Sequence, residues 1–157
     1  MRLFAASTIL PTLLLSAYPT ASTADALCSP LRRFVESVQP HETRLVQFHT
    51  EWGRNFKDSD KPALYARRCS HGDYEPAMTV CSFLMEYGAT EFSEINVKRA
   101  IQCLSPKTRF GYWSSLDSIA LTLEHHPKQD HGATVHITFG EDREIGGMVL
   151  TIGVEGY

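Results

Sequence analysis

The stretch from Cys69 to Cys103 constrains this chain most, because it sets three of the four cysteines on or beside two helical patterns joined by a short turn. Between Pro76 and Tyr87, the residues Ala77, Cys81, Leu84 and Gly88 recur at the three-and-four spacing of one helical face, with Met78 and Met85 on an adjoining stripe. Pro76 suits a first helical turn and Gly88 a C-terminal cap. Val97, Ala100, Ile101 and Leu104 repeat the pattern, with Lys98, Arg99 and Gln102 elsewhere on the wheel and Thr90 or Ser93 able to cap the start. Two amphipathic helices with so short a connection are expected to pack antiparallel.

That hairpin bears on the disulfides, for which four cysteines allow three pairings. Folding about Ala89 and Thr90 brings Cys103 near the residues just before the first helix, where Cys69 lies. Cys81 sits about five residues further along, roughly 7 Å at the helical rise, which strains the Cα separation that a disulfide tolerates. The expected pairs are therefore Cys69 with Cys103 and Cys28 with Cys81. No two cysteines have the close spacing of a structural zinc site, and their even number leaves no odd thiol for catalysis.

The first residues read as an export signal. Met1-Arg2 is a short basic start, Leu3 to Leu15 an apolar run diluted by Pro11, and Ser22-Thr23-Ala24 a small-residue cleavage site. The expected division is a signal peptide over 1–24, with cleavage after 26 as the alternative, and a single domain over 25–157. Leu27 before Cys28 argues against lipid attachment, and no later stretch is apolar enough to span a bilayer. Removal of 1–24 takes away Arg2 and no acid from 15 bases and 18 acids, leaving a net charge of minus four. That balance does not suggest nucleic acid or anionic membrane as the main partner, since both demand clustered basic surface. Export with paired cysteines points to an oxidising compartment, periplasmic or extracellular. The missing Asn-x-Ser/Thr signal is compatible with a bacterial envelope.

The expected fold is α+β: a helical layer with a disulfide-braced helix hairpin, packed on one face of a three- to four-stranded antiparallel sheet. Leu31, Phe34, Val35 and Val38 make a first helix from Ser29-Pro30 to Pro40, and Thr43 to Trp52 alternates as a strand. Lys61-Pro62 opens a helical turn or two through Ala63, Leu64, Ala66 and Arg67. In the last third the period is two, and antiparallel pairing sets Leu121 opposite Ile137 opposite Leu150, and Leu123 opposite Val135 opposite Ile152. Gly146-Gly147 reads as a hairpin turn.

Candidate chemistry is sparse. There is no Gly-x-Ser-x-Gly turn, no Gly-x-Gly-x-x-Gly and no phosphate loop. His125, His126, Asp130 and His131 gather around a hairpin turn, with His136 further along, and such side chains can hold zinc or another divalent transition metal. They satisfy no metalloenzyme spacing, and a hydrophilic turn explains them as well. Arg109, Phe110, Tyr112 and Trp113 form an arginine–aromatic segment of the kind that dominates protein interfaces, against its use in closing the core. The threonine-bearing polar face of the sheet and Glu141 to Glu144 make a second possible platform.

The sequence thus points to a small exported binding protein with a protein partner and no cofactor: an inhibitor, an immunity-type protein or an accessory protein of the envelope. The alternatives are a metal-binding protein or metal-dependent hydrolase using the histidines, and a structural envelope component.

Overall fold

The computed structural model describes residues 23–111, 114–128 and 131–157. The element order is α1 (Thr23–Ser37), β1 (Thr43–Trp52), β2 (Tyr65–Ser70), α2 (Glu75–Tyr87), α3 (Glu94–Leu104), β3 (Ile119–Lys128), β4 (His131–Glu141) and β5 (Met148–Gly156). The strands form one antiparallel sheet in the order β2-β1-β5-β4-β3. The helices pack on one face of it, so the α+β class stands, with a five-stranded sheet.

Each element follows from its apolar spacing. On α1, Leu27, Leu31, Phe34 and Val35 form one buried stripe, which Val38 continues just past the helix end. The helix begins upstream of the expected Ser29-Pro30 start and carries Pro30 inside it. Burial of Leu27 extends the stripe by a turn, and this offsets the backbone hydrogen bond that proline cannot make. Val46 and Phe48 of β1, Val135, Ile137 and Phe139 of β4, and Leu150, Ile152 and Val154 of β5 supply the sheet's half of the core. Ile119, Leu121 and Leu123 of β3 sit half-buried at its margin.

Several expectations need correction. Helices α2 and α3 do not pack on each other as an antiparallel hairpin: α1 packs against both of them. Residues 65–70 form a strand, not a helical turn: β2 pairs with β1 from Gln47 opposite Ser70 to Trp52 opposite Tyr65. Ala63, Leu64 and Ala66 favour helix locally, but pairing against a formed β1 outweighs a preference of a few tenths of a kcal/mol per residue. The β3–β4 register is as expected, with Leu121 opposite Ile137, whereas β4 and β5 are displaced by two residues, setting Ile137 opposite Ile152 and Phe139 opposite Leu150. The loop after Glu141 is longer than a tight Gly-Gly turn, and Asp142 and Gly147 close it through their backbones. A shift of two keeps the parity, so the same face is buried.

The disulfides are Cys28–Cys103 and Cys69–Cys81, not Cys69–Cys103 and Cys28–Cys81. The strand β2 is the reason. Paired opposite Phe48, Cys69 faces the helical layer beneath α2, where Cys81 lies at a Cα separation of 5.5 Å. Helix α1 packs beside α3 and brings Cys28 within 4.8 Å of Cys103, whose carbonyl also accepts a 3.0 Å hydrogen bond from Arg32 Nε. Two disulfides are the chemistry of an oxidising compartment. No described helix is long and apolar enough to cross a membrane. The expected signal peptide lies almost wholly in residues 1–22, outside the described residues.

Candidate binding site

The end of the sheet that carries the last residues of β1 and the first of β2 and β5 meets the α2–α3 turn, and that turn is tightly specified. A Cβ on Gly88 would lie 2.4 Å from the Leu84 carbonyl oxygen and 2.7 Å from the Phe48 ring, so only glycine lets the chain leave α2 here. The buried Asn96 side chain then clamps Ala89, accepting from its N–H at 2.8 Å and donating to its carbonyl at 2.7 Å. From β2, Arg67 donates through Nε to Thr90 Oγ1 at 2.8 Å and through Nη1 to the Met85 carbonyl at 2.9 Å. These bonds tie Ala89 to α3 and Thr90 to β2, and the residues that follow, Glu91 and Phe92, leave from that anchored point.

Against this turn stand two aromatics from the strands. Trp52 and Tyr65 are cross-strand partners and stack with ring centroids 6.5 Å apart and 16° between planes, while Arg67 lies 5.5 Å over Tyr65. Stacked pairs of this kind add about 0.5–1.5 kcal/mol beyond the area they bury. All three aromatics remain open to solvent: Trp52 is 46 %, Tyr65 51 % and Phe92 58 % exposed. A groove of about 380 Å³ runs between Trp52 and Tyr65 on one side and Ala89 to Phe92 on the other.

Beyond Trp52 the helical layer and the sheet part to form a cleft of about 540 Å³. Its inner wall includes Thr50, Phe139, Met148 and Ser93, and its rim includes Glu91, Glu94, Asp117 and Glu141. The loop before β5 approaches β1 closely at Gly147, whose φ is +79° and where a Cβ would lie 2.2 Å from the Thr50 carbonyl oxygen. Two carboxylates already have cations: Glu94 pairs with Lys98 at 3.8 Å, and Glu51 with Arg54 at 3.4 Å. Lys98 Nζ also donates to the Ser114 carbonyl. Among the described residues, Glu91, Asp117 and Glu141 have no ion-pair partner.

Among the described residues no helix lies over the opposite face of the sheet, and the loop after β1 covers part of it. Phe56 is buried there, edge-on to His49 and beneath the Arg68 guanidinium. Arg68 grips Asp58 with two hydrogen bonds of 2.7 and 3.0 Å, which hold that carboxyl below its ordinary pKa. Asp142 is held below its ordinary value first by the Ile145 N–H donating to Oδ1, then by Glu144 N–H and by His49, whose Nε2 lies 3.1 Å from Oδ2. These contacts close the loop between β4 and β5 against β1.

The residues expected to carry chemistry are dispersed. His125 turns to the helical face, 3.4 Å from Glu36 of α1, while His126 packs edge-on to Tyr157 on the other face. His136 bonds Thr122 Oγ1 at 3.1 Å. The backbone of His131 pairs with Lys128, and Asp130 lies outside the described residues. Among the described residues no three His, Cys, Asp or Glu side chains are grouped to hold a metal ion. Arg109 folds back to the Pro106 and Thr108 carbonyls, Phe110 packs partly against the core, and Tyr112 and Trp113 lie outside the described residues.

Spacing in the sequence marks neither Tyr65 nor Phe92, and it sets Trp52 on the parity of Val46 and Phe48, which are buried where Trp52 is not. The available signal was Phe92 itself, a large apolar residue in a polar turn and off either helical stripe. Tyr65 acquires meaning only once β2 is known to pair with β1. No protein-family model, curated protein or solved structure matches the chain.

Proposed function

We propose that this protein captures a protein partner in an oxidising compartment, periplasmic or extracellular, and acts there as an inhibitor or accessory protein. The observation that carries the reading is the exposure of Trp52, Tyr65 and Phe92 on one rigidly held surface. Tryptophan and tyrosine anchors, with arginine, dominate binding energetics at interfaces, and an exposed aromatic group beside a groove marks such a surface. Anchoring by bonds already made in the free protein limits the ordering cost of association.

The test compares the mature chain with the Trp52→Ala/Phe92→Ala variant as bait in envelope extract, followed by binding measurements on the purified captured protein. The variant is expected to weaken binding at least 30-fold, about 2 kcal/mol. Its thermal midpoint should shift by no more than about 4 °C, since the removed rings are half-exposed. Equal retention of the same partner by both forms would remove the surface from this role.

A further inference from the structure

The cleft beside the aromatic surface says what that partner presents. Three features coincide in it: apolar walls from Phe139 and Met148, rim carboxylates from Glu91, Asp117 and Glu141 that have no ion pair among the described residues, and the hydroxyls of two buried residues. Thr50 is 3 % and Ser93 7 % exposed, both line the cleft, and neither hydroxyl has a hydrogen bond among the described residues. Each hydroxyl is thus free to donate to, or accept from, a group that enters the cleft. The carboxylates are not grouped closely enough to hold a metal ion. They suit a longer cation whose apolar stem can lie along the walls while its head spreads over several acceptors. Trp52 borders the cleft as well as the groove, and an aromatic ring favours a cation near its face.

Resting on the binding role above, we propose that the cleft receives an arginine or lysine side chain of the protein partner, with the rim carboxylates and the Thr50 and Ser93 hydroxyls as its acceptors. The partner therefore presents a basic segment next to an apolar patch, complementary to a mature chain whose net charge is negative.

A nitrogen-labelled mature chain titrated with N-acetyl-arginine amide tests this, with the uncharged N-acetyl-citrulline amide as control. Saturable shifts are expected at the Thr50 and Ser93 amides and the Trp52 indole, with citrulline at least fivefold weaker. Each exposed carboxylate contributes about two- to fivefold, so Glu91→Gln/Glu141→Gln should weaken the arginine probe at least about fourfold, and Thr50→Val should weaken it without unfolding the chain. Equal affinity for citrulline, saturation without shifts at Thr50 and Ser93, or a tenfold tighter response to putrescine, the mark of a free polyamine, would each overturn the inference. The two failures are separable. A captured partner lost by Trp52→Ala/Phe92→Ala but indifferent to Glu91→Gln/Glu141→Gln sinks the cation and keeps the binding role.

Discussion

The two ends of the sheet invite comparison, because each concentrates one kind of side chain. At the end where β3 turns into β4 lie the histidines, and their contacts are with neighbours of the same fold: His125 with Glu36, His126 with Tyr157, His136 with Thr122. At the other end Trp52, Tyr65 and Phe92 face solvent around a groove and a cleft, while hydrogen bonding is spent on the turn that supports them. A titratable cluster in sequence need not converge in space, since neighbours on a strand point to opposite faces. Aromatics left exposed by a satisfied scaffold are the better sign of a site.

The largest effect expected is on the scaffold common to both ends. Cys28–Cys103 spans a sequence separation of 75 and Cys69–Cys81 one of 12. Loop-closure entropy makes the first worth about 4.5 kcal/mol and the second about 3 kcal/mol. Chemical denaturation should therefore find Cys28→Ala/Cys103→Ala less stable than Cys69→Ala/Cys81→Ala by about 1.5 kcal/mol. The shorter bridge holds β2, and with it Tyr65 and Arg67, against α2. Its loss should weaken partner capture more than loss of the longer one, and the reverse order would detach the aromatic end from β2.

A smaller effect separates Asp142 from its neighbours. Its carboxyl titrates below the unfolded value of about 3.9, so its contribution is present above pH 4 and lost as the pH falls through the lower folded value. Thermal midpoints between pH 6 and pH 2.5 should fall less in Asp142→Asn than in the unaltered protein. Parallel curves would show that the Ile145 and Glu144 amides do not favour the ionised form.

The smallest expected effect is at the histidine end. His126→Ala/His131→Ala should change partner affinity less than twofold, set beside the loss expected for Trp52→Ala/Phe92→Ala. A stoichiometric zinc, copper or nickel ion seen by native mass spectrometry and lost in that double variant would instead return the site to the histidines.

The legible part of the fold was periodic. The stripe Leu31, Phe34, Val35 and Val38, the alternation of Val46 and Phe48, and the parity of Leu121, Ile137 and Ile152 all landed on the buried faces that their spacing implied. The Leu121–Ile137 register followed from matching those faces. The illegible part lay where local preference and tertiary pairing disagree. Residues 62–69 lean weakly toward helix, and only the free edge of β1 makes them a strand. From that one element follow the Cys69–Cys81 pairing, the Trp52–Tyr65 stack and the anchoring of Thr90 by Arg67. The candidate site was therefore almost unreadable before β2 was placed.

By itself, the sequence determined the α+β class, the three amphipathic helices, the parity of the strands and an even set of cysteines suited to an oxidising compartment. The tertiary structure decided which cysteines meet, which edge receives the fifth strand and which end of the sheet keeps its aromatics in water. Hydrophobic spacing records which face of an element must be buried, but the drive to bury it is non-directional and names no partner. Directional bonds, from strand pairing and from Arg67 and Asn96, make that choice, and they exist only between residues far apart in the chain.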